Sequence, residues 1–389
     1  MDFPNSKKKL PRYLFLAVLF LCISASFFYG WVLDNSKLRG GKGWADQTAY
    51  TKSAIQFGRG ELPRKLHFQV GYSLLGALGY YIYPDDPFMP ISYILLLCSF
   101  FFLFYGAKRR FNIPLSLLFL LMIFIWDLDT ITLNYPSELF NTPWNNQVIF
   151  FIFCFYFWLY EYWDGKEIPI WLFIITALLS GYAIATREET VFFVIPLAIS
   201  FLIGKKYSYR FYILFFCILI IGYSPQLIVK YKVLGDILNT GRMDDSKGMS
   251  YISKLIDYFS LEHLTYNSID VLFNSSIREV NHGGRLSILQ SNPWFWLTPV
   301  GIFYFLKKKN EKSTMKVFVL ISLVLLVFYL AGGNMGAYKL RFFCIRYVIP
   351  SYIAFNFVII CLLQYLYDRY KERAVRKLLK STKAEGLRC

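Results

Sequence analysis

Charge is scarce along this chain of 389 residues: only 17% are Asp, Glu, Lys or Arg, and none of these falls in the central part of a long apolar run. That scarcity excludes an ordinary soluble domain, in which roughly a quarter of residues are charged. The lack of mid-run acids, together with the lack of a clear internal repeat, also weighs against an ion-coupled transporter. Histidine is rarer still, and His67, His263 and His282 have no mutual spacing that would build a metal site. The seven cysteines (Cys22, Cys98, Cys154, Cys217, Cys344, Cys361 and Cys389) form neither a CxxC pair nor a disulfide framework. Most lie inside apolar runs, where small, buried, inert thiols are expected. No small-residue cleavage signature follows the first apolar run, so an uncleaved anchor is expected rather than a removable signal peptide.

What the chain has in abundance is apolar sequence: 56% of residues are hydrophobic and 20% aromatic. Long apolar runs let helices satisfy their own backbone hydrogen bonds where water is absent, and the runs lack the alternation of a β-barrel. The fold class expected is an all-α polytopic membrane protein with about ten transmembrane helices. The spans fall at roughly 13–33, 88–106, 113–130, 144–160, 168–186, 190–204, 211–229, 293–306, 317–335 and 345–367. No linker or charge-rich boundary marks a separate soluble domain. A single membrane domain over residues 1–367 is therefore expected, followed by a basic tail over 368–389.

Orientation follows from Lys and Arg, which favour the cytoplasmic side. Lys7–Lys9 precede the first span, Lys108–Arg110 follow the second, Lys205, Lys206 and Arg210 follow the sixth, and Lys307–Lys309 follow the eighth. If the spans alternate, all these clusters and the basic tail lie on one side, so both termini are cytoplasmic. The formal charge of +17 is mostly this signal. It places a basic face against anionic lipid headgroups and needs no nucleic-acid partner. Val70–Tyr83 is apolar too, but counting it as a span would put every later basic cluster outside. It is expected to be a helix lying in the outer interface or dipping into it, with Gly71, Gly76 and Gly79 easing close approach. Two long outer segments result, residues 34–87 and 230–292.

The first outer loop holds Lys37, Arg39, Lys42, Lys52, Arg59, Arg64 and Lys65 against Asp34, Asp46 and Glu61. This basic excess fits a solvated, headgroup-contacting surface or a site for an anionic ligand such as a lipid-linked phosphate. Further outer charges sit at span ends: Asp127, Asp129 and Glu138; Arg187, Glu188 and Glu189; Lys339, Arg341 and Arg346. Each could be an interfacial anchor or half of a structural ion pair. As a set they converge on a polar pocket at the lipid boundary.

An ordered series of motifs resembles the GT-C superfamily of integral-membrane glycosyltransferases, with protein mannosyltransferases and aminoarabinose transferases as the nearest kind. The series runs from Ala45-Asp46-Gln47-Thr48-Ala49-Tyr50 to Gly71-Tyr72-Ser73-Leu74-Leu75-Gly76, then Glu138, then Thr186-Arg187-Glu188-Glu189 ahead of Pro196-Leu197, and finally Arg346-Tyr347-Val348-Ile349-Pro350. The resemblance implies transfer of a sugar from a polyprenyl- or dolichyl-phosphate donor to a lipid, glycan or protein acceptor, on the periplasmic or lumenal face of what would be a bacterial inner membrane. It implies that Asp46 is the general base, and that Arg187 and Arg346 hold the donor phosphate by position, with Lys52, Arg59 and Arg64 as further candidates from loop charge. Tyr50, His67, Glu138, Glu188 and Arg285 are possible supporting residues. Gln47 departs from the pattern: many members carry a second acid there. No cofactor follows, and a divalent metal, though possible, has no support in the sequence.

One positioned carboxylate suits this chemistry, because an acceptor hydroxyl must lose its proton as it attacks the anomeric carbon. The leaving lipid phosphate is already a stable anion, so Arg or Lys charge is needed more than a strong acid. Two other classes remain open: a transporter or flippase for a lipid-linked or small solute, and a polysaccharide polymerase or ligase using Arg242, Arg278 and Arg285 in the late outer segment.

Overall fold

A computed structural model describes residues 10–37, 45–63, 66, 68–124, 140, 143, 145–163, 166–203, 207–235, 237, 264, 272–273, 288–331 and 348–386. Among the described residues 86% are helical and none is in a strand. The helices are α1 (Leu10–Lys37), α2 (Ala45–Gly58), α3 (Val70–Tyr80), α4 (Phe88–Arg110), α5 (Ile113–Phe124), α6 (Asn146–Trp163), α7 (Ile170–Thr186), α8 (Val191–Ile203), α9 (Tyr209–Leu234), α10 (Thr298–Lys307), α11 (Ser313–Ala331) and α12 (Ile349–Gly386). Within the described residues, each of the ten expected apolar segments overlaps one of these helices. By length and composition, α4, α9, α11 and the Ile349–Arg376 part of α12 can cross a membrane, and shorter apolar helices cover Val18–Val32, Ile113–Phe124 and Ile170–Thr186. These apolar helices mark a membrane protein.

Helix α6 is the pillar of the bundle. It packs on α4, α7, α11 and α12, and Phe150, Phe153, Tyr156, Phe157 and Tyr160 are fully buried along it. A helix that is apolar on every side belongs inside, and its polar atoms then need partners. The Tyr156 hydroxyl pairs with Ser180 Oγ on α7 at 2.7 Å, and the Tyr160 hydroxyl donates to the Leu197 carbonyl on α8 at 2.5 Å. The first half of α12 is also buried, whereas Leu366, Tyr367, Tyr370 and Val375 are exposed. At 38 residues α12 is far longer than a bilayer requires, so the expected boundary at 367/368 falls within one continuous helix.

Helices α7 and α9 make the most extensive pairing in the bundle. Ala177, Gly181 and Ala185 line the buried face of α7 at four-residue spacing, the small-residue pattern that lets helix backbones meet. A Cβ on Gly181 would lie 1.9 Å from the Leu219 carbonyl oxygen, and one on Gly222 would lie 2.4 Å from that of Leu178. Gly181→Leu should therefore push α7 and α9 apart. We expect a loss of about 1–3 kcal/mol or more, read as a lower unfolding temperature of the purified protein. An unchanged midpoint would show that the two helices tolerate separation.

Of the five described cysteines, all are free; Cys154 and Cys361 are buried, but Cys22 and Cys217 are exposed. The expectation of buried thiols thus fails for two residues, which lie on outward faces of α1 and α9.

Candidate functional site

Two opposite ends of the bundle gather its polar groups. At one end lie the first residues of α4 and α6 and the last residues of α7 and α9, bridged by α2 and α3. Helix α3 packs on α2, α4, α7 and α9. Gly71 meets the backbone of Ala185 and Thr186, Gly76 meets Phe88 and Ala54, and Gly79 sits against the Pro87 carbonyl, with a Cβ at any of the three coming within 2.7 Å of those atoms. The close approach expected of these glycines is what seats the helix. Long-range hydrogen bonds then hold it: Gln226 Oε1 on α9 accepts from the Val70 amide at 2.7 Å, and the Tyr182 hydroxyl on α7 donates to the Gly71 carbonyl at 2.5 Å. Gln147 Oε1 on α6 accepts from the hydroxyls of Tyr72 at 3.2 Å and Ser92 at 2.8 Å. Trp31 Nε1 donates to Asp86 Oδ2 at 2.8 Å, tying α1 to the turn before α4.

Asp46 is the second residue of α2; its side chain lies outside the described part. The next residue, Gln47, is 4% exposed, and its Oε1 has no hydrogen-bond partner among the described residues. A carboxylate at position 47 would therefore be buried, at a cost that an amide avoids. Tyr50 is buried as well, its ring 4.8 Å from Phe68 and 5.2 Å from Tyr72. It cements α2 to α3, and the cavity beside it measures only about 10 Å³. Lys52 is exposed on α2. Arg59, in the turn after α2, is exposed and directs Nε toward the Tyr80 hydroxyl at 3.5 Å.

The break between α7 and α8 supplies the charges. Arg187 is extended (φ −159°, ψ 105°), which ends α7, and a 3-10 turn over Glu188–Thr190 leads into α8. Thr190 Oγ1 donates back to the Arg187 carbonyl at 2.7 Å and stabilises the turn. The Arg187 side chain is buried; its Nε donates to Glu189 Oε1 at 2.5 Å, and its guanidinium lies 5.3 Å from the centre of the Tyr329 ring on α11. Glu188 Oε1 accepts from buried Lys230 on α9 and from the Tyr223 hydroxyl at 3.3 Å. The structure therefore brings together Arg187, Glu188 and Glu189, in the turn that follows α7, and Lys230 on α9, two of the helices on which α3 packs.

Lys230, Tyr223 and Gln226 were not among the expected site residues, although 223, 226 and 230 recur at the i, i+3, i+7 spacing of one helix face. Arg64, His67, Glu138, Arg285 and Arg346 lie outside the described residues, as do Asp127, Asp129, Arg242, Arg278, Lys339 and Arg341.

The opposite end carries a second cluster. Arg110, the last residue of α4, pairs with Glu161 on α6 at 3.2 Å and with Glu311 in the turn between α10 and α11. Lys308 pairs with Glu311 at 2.8 Å. Lys312 reaches Glu161 Oε2 at 3.2 Å and also donates to the carbonyls of Tyr160 and Glu161, at 3.2 and 2.9 Å. It thereby caps last-turn carbonyls of α6 that have no partner within the helix. The Arg110 guanidinium lies over Phe357 of α12 and Phe305 of α10, 5.0 and 5.5 Å from the ring centres. Five elements are stapled by this network.

Burial alone would raise the Glu311 carboxyl, but hydrogen bonds and charge from Arg110 and Lys308 outweigh it and hold the group below the usual carboxylate range. The sign follows from linkage: with the folded value depressed, the stabilisation is complete above the unfolded value, about 4.3, and is lost as pH falls through the folded one. Thermal unfolding midpoints should hold steady from neutral pH to about pH 5 and fall below about pH 4. In Glu311→Gln the wild-type advantage near neutrality should be gone and the acid-side drop smaller; an identical acid profile would refute the assignment.

The fold and its polar ends thus define a helical membrane protein with one end closed by α2 and α3. Comparison with known proteins finds no matching family model, no matching curated protein and no matching solved structure.

Proposed function

We propose that this chain is a GT-C-type integral membrane glycosyltransferase. It spans the membrane about ten times and moves a sugar, with inversion, from a polyprenyl-phosphate donor to an acceptor at the end of the bundle that carries α2 and α3. The observation that carries this reading is the seating of α2 and α3. The segment that begins with Asp46 is no loose loop but one half of a helical pair, locked onto α4, α7 and α9 where Arg187, Glu188, Glu189 and Lys230 gather. A general base works only when it is held within hydrogen-bond reach of the proton it removes, and a packed helix provides that rigidity where a mobile loop does not.

In the proposed step Asp46 takes the acceptor hydroxyl proton as that oxygen bonds to the anomeric carbon. The bond from this carbon to the donor phosphate oxygen breaks, and the phosphate leaves with the electron pair. Charge grows on the phosphate oxygens, and Arg187 is the best-supported residue to receive it, with Arg346, Lys52, Arg59 and Arg64 as further candidates. Arg187 now holds the Glu189 carboxylate; a phosphate presents similar oxygen acceptors to a guanidinium, so donor binding would exchange one anion for the other.

The arrangement of helix ends supports the ten-span topology. Ends that alternation assigns to one side, such as the start of α4 and the end of α7, meet through α3, and Arg110, Glu161 and Glu311 meet at the other end. With Lys108–Arg110 and Lys307–Lys309 at that second end, the positive-inside rule makes it cytoplasmic. The proposed site then faces the periplasm or lumen, as in a bacterial inner membrane protein.

The test is transfer by the purified, reconstituted protein from a radiolabelled polyprenyl-phosphate sugar. Release of polyprenyl phosphate with a glycosidic product of inverted configuration is expected. Solute movement across sealed vesicles with no such product would replace this reading by the transporter.

A further inference from the structure

The basic end of the bundle holds a recess that the proposed transfer does not use. It measures about 330 Å³ and is lined by Arg109, Arg110, Glu161, Tyr162, Lys166 and Lys312. Four cations thus face one acid, and that acid is already engaged by Arg110 and Lys312. Arg109 makes no ion pair among the described residues, and Lys166 lies over the Tyr162 ring, 4.5 Å from its centre. The inner wall is fixed by buried pairs while the outer wall is an exposed Arg and Lys, so the recess has a preset shape and a net positive field.

A second feature points to the kind of anion. From the mouth of the recess, aromatic rings form a continuous track along α6 and α4: Tyr162 stacks on Trp158 at 6.0 Å, and Trp158 lies 5.2 Å from Phe102. Tyr162 is exposed and the other two are half-buried, so the track lies at the outer edge of the α4–α6 contact. A free anion has no use for such a track. An anion with a hydrocarbon chain does.

We propose that this recess is a headgroup site for an anionic glycerophospholipid, its phosphate held by Arg109 and Lys166 above the Arg110–Glu161–Lys312 floor and an acyl chain lying along Tyr162, Trp158 and Phe102. Basic pockets between membrane helices recognise phosphate headgroups in this way, and Arg and Lys supply the donors that the phosphate oxygens accept. A lipid so placed would brace α4 against α6 at the level of the interface. This site is independent of the transfer reaction at the other end.

The test uses the full-length protein, delipidated in neutral detergent and titrated with labelled phosphatidylglycerol or phosphatidylcholine. Phosphatidylglycerol should bind in preference, and should persist in excess inorganic phosphate because the chain contributes. The double variant Arg109→Gln, Lys166→Gln should bind it about 30-fold more weakly with phosphatidylcholine binding unchanged. Both residues are exposed and outside the buried network, so the variant keeps its fold, which its unfolding midpoint checks. Equal binding of the two lipids, displacement of phosphatidylglycerol by phosphate alone, or an unaffected double variant would each overturn the proposal.

Discussion

Asp46→Asn should reduce sugar transfer by about 10²–10⁴-fold, the range for losing a positioned general base, while leaving donor binding and thermal stability near wild type. The expectation is this sharp because the substitution keeps size and hydrogen-bonding capacity at the second residue of α2 and removes only the ability to accept a proton as a carboxylate. The described contacts that seat the helical pair come from Tyr50, Val70, Gly71 and Tyr72. A fall in k for the chemical step with an unchanged donor Kd separates a base from a binding residue. Full turnover by the asparagine variant would leave the base assignment without a basis, whatever became of the donor.

Arg110→Met should cost about 3–5 kcal/mol of stability, because it strips the shared partner from two buried acids. Glu161 and Glu311 side chains are 3% and 5% exposed, and after the change each would depend on a single lysine, Lys312 or Lys308. The affected readout is the unfolding midpoint in detergent or denaturant, not catalysis, since the cluster lies at the end of the bundle away from α2 and α3. A double variant Arg110→Met, Glu161→Met should lose less than the sum of the two single changes, as expected when both act on one network. Strict additivity would mean that the pair does not couple in the folded protein.

Much of the architecture was legible along the chain because a helix in lipid advertises itself by length and apolarity alone. Every expected apolar segment overlaps a helix within the described residues, and the three glycines of the Val70–Tyr83 segment were identified with their purpose. Helix ends were less legible: the span expected to stop at 229 runs on to Leu234, and Gly235 terminates α9 at φ 72°, in the left-handed region that glycine enters without penalty. Less legible was the rank of the helices. Nothing in the aromatic run of α6 distinguishes a central pillar from a lipid-facing span, because both faces prefer apolar side chains. The exposed Cys22 and Cys217 show the same ambiguity from the other side.

The candidate site divides in a similar way. Arg187, Glu188 and Glu189 stood out because charge at a span end is rare and close in sequence. Gln226 and Lys230 did not, since their partners Val70 and Glu188 are 156 and 42 residues away. Tyr50 sat beside Asp46 in the motif and was grouped with it, yet its side chain serves the packing between α2 and α3.

The sequence by itself determined the membrane class and the helical segments, because both depend only on local composition and on the energetics of burying backbone and charge in hydrocarbon. Only the tertiary structure decided that the segment headed by Asp46 packs on α3, itself seated on α4, α7 and α9, that Arg187 faces Glu189 and Tyr329, and that Arg110 joins two distant acids. Those pairings depend on which helix faces meet. In a chain whose helices are apolar nearly all round, that choice rests on a few small residues and long-range hydrogen bonds that no single segment reveals.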